Sequence, residues 1–215
     1  MPHIILLGDS IFDNGAYVHG GPDVNTQLQN ILPVGWKTTL RAVDGSTTVG
    51  VSAQLVNLPV EATHLVLSVG GNDALSRSWI LEAFVSSSTE AFLLLAQAIR
   101  EFEPCYRTAV EACLATGLPL VVCAIYNGNF AEDHYQQCVK IAIAAYNDAI
   151  IRLSVEKKLT VIDLRFICCN PEDYAIANPI EPSTLGGAKI AAAIRQNVVV
   201  HATSRWAGAY VLGAA

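Results

Sequence analysis

The sequence predicts an α/β fold, a three-layer α/β/α sandwich around a doubly wound, five-stranded parallel sheet. Short apolar runs rich in Val, Ile and Leu alternate with longer segments of helical period, which is the pattern of successive βαβ units. The composition is 52% hydrophobic and 15% charged, which suits a sheet that helices cover on both faces. At 215 residues, the chain has the length of one domain with a core of ordinary size.

The apolar runs and the helical periods place the predicted elements along the chain. Strands are predicted at residues 3–7, 37–43, 65–69, 120–125 and 160–164. Helices are predicted at residues 24–31, 50–57, 87–115, 132–157 and 183–196, and the third is expected to break near Pro104. Right-handed crossovers favour the strand order 2-1-3-4-5, with the functional site at the carboxyl ends of the strands.

We expect a single domain over residues 1–215, with a core of about 3–196 and a C-terminal tail of 197–215. The tail carries Trp206 and Tyr210 among small apolar residues. It is therefore expected to pack on the domain or on a neighbouring copy, and both a homo-oligomer and a buried tail remain open.

Charge and patterning exclude several classes of partner. The net charge is −6 and the 13 Lys and Arg residues are scattered, so no basic stripe is available for nucleic acid. The chain has no run of about 18 apolar residues, and its apolar N-terminus has no positively charged leader. We therefore expect no membrane partner and a cytoplasmic location.

The six cysteines are expected to be buried, reduced thiols. None has the CxxC spacing of zinc or thioredoxin sites; they are Cys105, Cys113, Cys123, Cys138, Cys168 and Cys169. No cofactor and no metal ion are expected.

Polar residues follow the first three predicted strands, at the point where each strand ends. In GDSIFDN, Ser10 comes directly after an apolar strand, where its hydroxyl and nearby backbone N–H groups suit attack on a carbonyl. Gly45, in VDGSTT, lets a backbone N–H approach a substrate closely, and Asn72, in SVGGNDA, offers a side-chain amide donor. Each residue is also ordinary in a turn or helix cap, but three in order along one sheet favour a nucleophile with an oxyanion hole.

These segments together resemble the SGNH (GDSL-type) hydrolase family over residues 5–195. GDSI matches the nucleophile block, Gly45 the glycine block and GGND the asparagine block. IEPSTLGGAKIA resembles the last block, which is usually D-x-x-H-P-S followed by a glycine and a helix. The resemblance implies a flavodoxin-like SGNH hydrolase fold and ester hydrolysis. It also implies that Ser10 is the nucleophile and that the Ser10 N–H, the Gly45 N–H and Asn72 are oxyanion donors.

The last block departs from the family pattern at both catalytic positions. Asn178 stands in place of the family's Asp, and Glu181 stands in place of its His. In the first of three interpretations, Glu181 is the general base. Its ordinary pKa, near 4.3, makes it a weak base for an alcohol, but burial would raise that pKa. A neutral Asn178 could hydrogen-bond the carboxylate.

Two further interpretations dispense with Glu181 as the base. In one, His134 or His19 moves in from another loop at the same sheet edge. In the other, the protein is catalytically impaired and its pocket binds a small acyl, sugar or carboxylate ligand.

A metal site is a weaker possibility. Asp9, Asp13, Asp73 and Glu181 could gather round a hard cation. However, Asp13 and Asp73 suit helix N-caps, and Asp9 suits a role in holding the nucleophile turn.

The favoured prediction is a hydrolase of small esters that acts through an acyl-Ser10 intermediate, with Glu181 in place of the usual histidine. Trp79, Phe84 and Phe92 follow the third strand and could line an acyl pocket, although core packing is the more common role of aromatic residues at such spacing. Asp163, after the fifth strand, is expected to form a cap or turn.

Overall fold

The computed structural model describes residues 1–200 and 210–211, and six of its eight described strands run parallel in one main sheet. In chain order the strands are β1 His3–Gly8, β2 Lys37–Leu40, β3 His64–Ser68, β4 Leu120–Ala124, β5 Thr160–Asp163, β6 Tyr174–Ala175, β7 Asn178–Pro182 and β8 Tyr210–Val211. The main sheet has the order β2-β1-β3-β4-β5-β8. The predicted fold class and the order of its five strands are confirmed, and the short β8 adds a parallel edge beside β5.

The helices lie in two layers, one on each face of the sheet. They are α1 Val24–Ile31, α2 Val51–Gln54, α3 Gly71–Leu75, α4 Ser88–Leu114, α5 Asp133–Lys157, α6 Leu164–Ile167 and α7 Thr184–Arg195. Ile4 and Leu6 of β1 face the core with α1 and α7, whereas Ile5 and Leu7 face the core with α4 and α5. All four side chains are fully buried, so alternate residues of one strand enter two different cores.

No helix in the described part of the chain combines the length and apolarity that a membrane crossing would need.

The helix boundaries depart from the prediction in two places. Helix α4 continues through Pro104 without a break. Proline removes one N–H donor there, but the turns on both sides are anchored to the sheet by buried residues such as Phe102 and Tyr106. The helix predicted at 50–57 is shorter, since α2 ends at Gln54 and is preceded by a 3-10 turn at Thr48–Gly50.

The segment that carries Glu181 forms a strand, where a loop was expected. β6 and β7 form a small antiparallel hairpin with an irregular register, separate from the main sheet. Pro179 and Pro182 are residues that are unfavourable within a central strand. A two-stranded hairpin tolerates them because proline only needs to avoid positions where its missing N–H would be a ladder donor.

The prediction for the cysteines is correct in part. All six are free thiols, but only Cys113, Cys123 and Cys168 are buried. The predicted packing of the tail concerns Trp206 and most of 207–215, which lie outside the described residues.

Gly8 ends β1 just before Ser10, and Gly8→Ala should destabilise the fold. Its φ is +124°, and a Cβ there would lie 1.7 Å from the carbonyl oxygen of Ser68 in β3. We expect the free energy of unfolding to fall by about 3 kcal/mol, measured by urea denaturation.

The matched control for this prediction is Gly15→Ala. A Cβ at Gly15 would meet no atom within 4 Å, so its unfolding free energy should stay within about 0.5 kcal/mol of the wild type. Equal stability of the two variants would contradict the steric argument.

Candidate active site

Ser10 lies at the carboxyl end of β1 in a turn held by α2, by β3 and by the side chain of Asp9 within the turn. The side-chain amide of Gln54 in α2 donates to the Gly8 carbonyl and accepts from the Gly8 N–H, both at 2.7 Å. The Asp9 N–H donates to the carbonyl of Ser68, and Asp9 Oδ1 accepts from the Ile11 N–H. Asp9 thus holds the nucleophile turn as predicted. Gln54 was missed, because nothing local in the sequence marks it.

The hydroxyl of Ser10 donates a hydrogen bond of 2.9 Å to Oε1 of Glu181. Both side chains are buried, with 7% of Ser10 and 3% of Glu181 exposed. Glu181 Oε2 has no hydrogen-bond partner among the described residues. Burial raises the pKa of Glu181 to about 7; the bond from Ser10 lowers it and the charge of Asp44 raises it further. Glu181 can therefore accept and release a proton near neutral pH.

Asn178 does not hydrogen-bond Glu181, contrary to the sequence-based hypothesis. Its Oδ1 accepts from the N–H of Ile180 at 3.3 Å, which turns its amide toward its own backbone. A short polar side chain two residues before a backbone N–H readily makes this local turn. Asn178 therefore shapes the backbone of β7 and does not assist Glu181 through a hydrogen bond.

The backbone on either side of Glu181 is held by two buried side chains that the sequence analysis did not single out. The hydroxyl of Tyr126, after β4, donates to the Ile180 carbonyl at 2.6 Å. The amide of Asn14 donates to the Pro182 carbonyl at 3.2 Å, while its oxygen accepts from the Val24 N–H. Asn14 is the last residue of the GDSIFDN segment, and its place in that motif is the one feature of the sequence that could have pointed to this contact.

Gly45 follows β2 and Asn72 follows β3, the two strands that flank β1, as the sequence predicts. Gly45 adopts a φ of +75°, which favours glycine, and open space surrounds the position of its missing Cβ. Asn72 Nδ2 donates to the Ser46 carbonyl at 2.9 Å, and this bond holds Asn72 against the loop that carries Gly45. One of its two N–H groups is thus used, and the other can serve as a donor.

Asp13 and Asp73 bridge loops, so their prediction as helix N-caps is wrong. Asp13 accepts from the backbone N–H of Asp44 at 2.9 Å. Asp73 accepts from both the N–H and the hydroxyl of Thr48, at 3.0 and 2.6 Å. Because each carboxylate finds a donor on the loop of 44–48, these acids fix that loop beside Ser10. Within the described chain, no group of three His, Cys, Asp or Glu residues is arranged to hold a metal ion.

The two histidines considered as alternative bases are exposed. His134 lies in the first turn of α5 and His19 in a turn after the nucleophile segment. Neither is among the described residues that line the pocket beside Ser10. Asp163 caps α6 through the Arg165 N–H, which confirms its predicted role.

A pocket adjoins Ser10, Asn72 and Glu181. The sequence analysis offered two roles for Trp79, Phe84 and Phe92, namely pocket lining and core packing. Both are wrong, because these residues belong neither to this pocket nor to the core. They are 53%, 106% and 66% exposed, and aliphatic neighbours on the same segments line the pocket in their place.

Asp9 is a second buried carboxyl at the site. Burial raises the pKa of Asp9 to about 8, the bond from Ile11 lowers it, and the charges of Glu181 and Asp73 raise it further. Asp9 is therefore mainly protonated at pH 7 and does not add a second charge beside Ser10.

Open α/β sheets bind their ligands outside the carboxyl ends of the strands, and a serine hydroxyl that is hydrogen-bonded to a buried carboxylate at this edge suits nucleophilic hydrolysis. The chain belongs to the GDSL-like lipase/acylhydrolase family, whose model matches residues 6–189.

Solved structures share this fold at low sequence identity. An extracellular lipase from Streptomyces rimosus is 15% identical, with a TM-score of 0.69 over 91% of this chain and 99% of that one. A lipase from a goat rumen metagenome is 18% identical, with a TM-score of 0.71 over 92% and 98%. An acetyl xylan esterase is 17% identical, with a TM-score of 0.64 over 92% and 100%. No curated protein matches the sequence.

Proposed function

We propose that this protein is a serine-dependent carboxylic ester hydrolase in which Glu181 replaces the usual histidine base. The family assignment supports ester hydrolysis in general. The observation that carries the finer proposal is the 2.9 Å hydrogen bond from Ser10 Oγ to the buried carboxylate of Glu181. Small-molecule esters are the proposed substrates.

The reaction begins when Ser10 Oγ attacks the ester carbonyl carbon and its proton passes to Glu181 Oε1. The Ser10 N–H, the Gly45 N–H and Asn72 Nδ2 then stabilise the oxyanion. Glu181 gives the proton to the leaving alcohol as the carbon–oxygen bond breaks, which leaves an acyl-Ser10 ester. A water molecule, deprotonated by Glu181, attacks this ester, and the carboxylic acid leaves as the proton returns to Ser10.

A carboxylate can act as this base because its proton affinity is raised. The pKa of Glu181, about 7, brings the base close to the pH at which general-base catalysis is efficient. When Glu181 accepts the proton it becomes neutral, so the negative charge moves from the carboxylate to the oxyanion. This charge transfer makes the oxyanion donors especially important.

Hydrolysis of p-nitrophenyl acetate by the wild type and by Ser10→Ala tests the proposed function. We expect a fluorophosphonate probe to add its mass to the wild type at Ser10 and to leave Ser10→Ala unmodified. Equal hydrolysis by the two proteins would overturn the proposal. Absence of turnover by the wild type across several acyl chain lengths would favour a ligand-binding role.

Asn72→Ala should lower kcat by about 10²–10³-fold with little change in KM, because the amide acts on the developing oxyanion. The measurement is steady-state hydrolysis of p-nitrophenyl acetate.

Thr48→Val is the matched control for Asn72→Ala. It removes a bond of 2.6 Å from the Thr48 hydroxyl to Asp73 in the same loop but leaves the Asn72 donor in place. We expect this control to lose less than about tenfold in kcat, because it perturbs only loop position. A loss equal to that of Asn72→Ala would mean that Asn72 acts by holding the loop.

A further inference from the structure

Gln54, the last residue of α2, has a buried side chain that contacts two different parts of the site. Its Oε1 accepts from the N–H of Gly8 at 2.7 Å, and its Nε2 donates to the Gly8 carbonyl at 2.7 Å. The same Nε2 also donates to the hydroxyl of Ser46 at 3.2 Å. One side-chain amide therefore joins the end of β1 to the loop that carries Gly45.

Ser46 extends this network to the third part of the site. Its carbonyl accepts the bond of 2.9 Å from Asn72 Nδ2 in α3. Gly8 is two residues before Ser10 in the chain. Ser46 directly follows Gly45. The three proposed oxyanion donors thus lie on segments that one hydrogen-bond network connects.

Two features fix Gln54 and Ser46 in this arrangement. The main-chain carbonyl of Gln54 accepts from Arg41 Nε at 3.2 Å, so the four-residue helix α2 is anchored to the segment that follows β2. At Gly50, a Cβ would lie 2.3 Å from the hydroxyl oxygen of Ser46. A side chain at this position would displace that hydroxyl, so the glycine leaves room for the bond from Gln54.

Oxyanion donors stabilise a transition state only when they are held close to the position of the developing charge, and a misplacement of about 1 Å can lower the rate about 10²-fold. We infer, on the basis of the proposed function, that Gln54 is a positioning residue that keeps the three oxyanion donors in register. Gln54 does not line the pocket beside Ser10, so it acts through the residues that it holds.

Gln54→Met removes all three side-chain bonds and keeps nearly the same side-chain length. We expect kcat for p-nitrophenyl acetate to fall about 10²-fold and KM to change less than about threefold, because acylation and deacylation both pass through an oxyanion. The inhibition constant of a trifluoromethyl ketone, which forms a hemiketal oxyanion with Ser10, should rise by a similar factor. A smaller fraction of folded enzyme would lower kcat alone, so this constant separates positioning from a merely structural role.

Ser46→Ala removes only the link between Gln54 and the glycine loop, since the two bonds to Gly8 remain. We expect kcat to fall about threefold to tenfold, with an equal rise in the inhibition constant of the ketone. In the Gln54→Met background, Ser46→Ala should cost less than about twofold more, because the bond is already absent.

Gln29→Met is the matched control for Gln54→Met. Gln29 also holds backbone through its amide, accepting from the Thr38 N–H at 2.9 Å and donating to the Trp36 carbonyl at 3.2 Å. These bonds lie at the amino end of β2, at the opposite edge of the sheet from Ser10. Both kcat and the inhibition constant should stay within about twofold of the wild type.

An unchanged inhibition constant in folded Gln54→Met would overturn the inference, and so would losses that multiply fully in the double variant. If Gln54→Met does not fold, an unchanged inhibition constant in Ser46→Ala would overturn it instead. Ser10-dependent turnover that is unaffected in Gln54→Met removes the positioning role alone. A Ser10→Ala variant as active as the wild type overturns the proposed function, and the role of Gln54 with it.

Discussion

Glu181→Gln is expected to lower kcat/KM for p-nitrophenyl acetate by about 10²–10⁴-fold, the usual contribution of a positioned general base. The Gln side chain has nearly the same size and can still accept the bond from Ser10, so binding geometry is kept. What is lost is the ability to take the proton, because an amide oxygen is not a useful base. Ser10→Ala should lose at least as much activity.

The same substitution should stabilise the fold at high pH. The pKa of Glu181 is raised from 4.5 to about 7 in the folded protein, so folding favours the protonated carboxyl. Its contribution to the free energy of unfolding is fully present below about pH 4.5 and is lost as the pH rises through 7. Glu181→Gln cannot ionise and avoids that loss. Its unfolding free energy should exceed that of the wild type by on the order of 2–3 kcal/mol at pH 8, with little difference at pH 4.

His134→Ala and His19→Ala are the controls for the predicted loss of activity in Glu181→Gln. Both histidines are exposed, so both variants should hydrolyse ester within about twofold of the wild type. Survival of Ser10-dependent activity in folded Glu181→Gln would remove Glu181 as the base. A loss in one of the histidine variants would identify its replacement.

The pH profile of kcat/KM should have an acid limb with an apparent pKa near 7. Glu181 must be ionised to accept the proton from Ser10, and burial raises the pKa of its carboxyl to about 7. Activity should therefore rise tenfold per pH unit well below 7 and stop rising once Glu181 is ionised. The measurement is ester hydrolysis at subsaturating substrate between about pH 5 and 9. An acid limb near the ordinary glutamate value would contradict the role of burial.

Asp9 should produce a second, alkaline limb. The pKa of its carboxyl is raised to about 8, so it gains a negative charge as the pH passes that value. This charge opposes the oxyanion and the ionised Glu181, and the two apparent pKa values belong to the coupled pair. Asp9→Asn keeps the neutral state, so it should retain the acid limb and lose the alkaline one. A decline above pH 8 that persists in folded Asp9→Asn would exclude Asp9 as its cause.

The sheet was predictable because its signals are local. Apart from β2, whose sequence is KTTL, the five predicted strands are short and mostly apolar runs, and β1 is buried on both faces by consecutive residues from Ile4 to Leu7. Parallel strands bring their carboxyl ends to one edge, so the sequence order alone placed Ser10, Gly45 and Asn72 on neighbouring strand ends. Helix boundaries were harder to predict where tertiary packing overrides the helix-breaking tendency of a residue. Helix α4, for example, continues through Pro104.

The sequence by itself determined the α/β fold, the family resemblance, and the replacement of the usual histidine by Glu181. Only the tertiary structure decided that Ser10 donates to that carboxylate and that Asn178 turns toward Ile180. It also decided that Tyr126 and Asn14 hold the backbone beside Glu181. Apart from the local turn at Asn178, these contacts join residues between 54 and 171 positions apart, and hydrophobic periodicity carries no information at that separation. The raised pKa of Glu181 has the same origin, since burial is a property of packing and not of the residue itself.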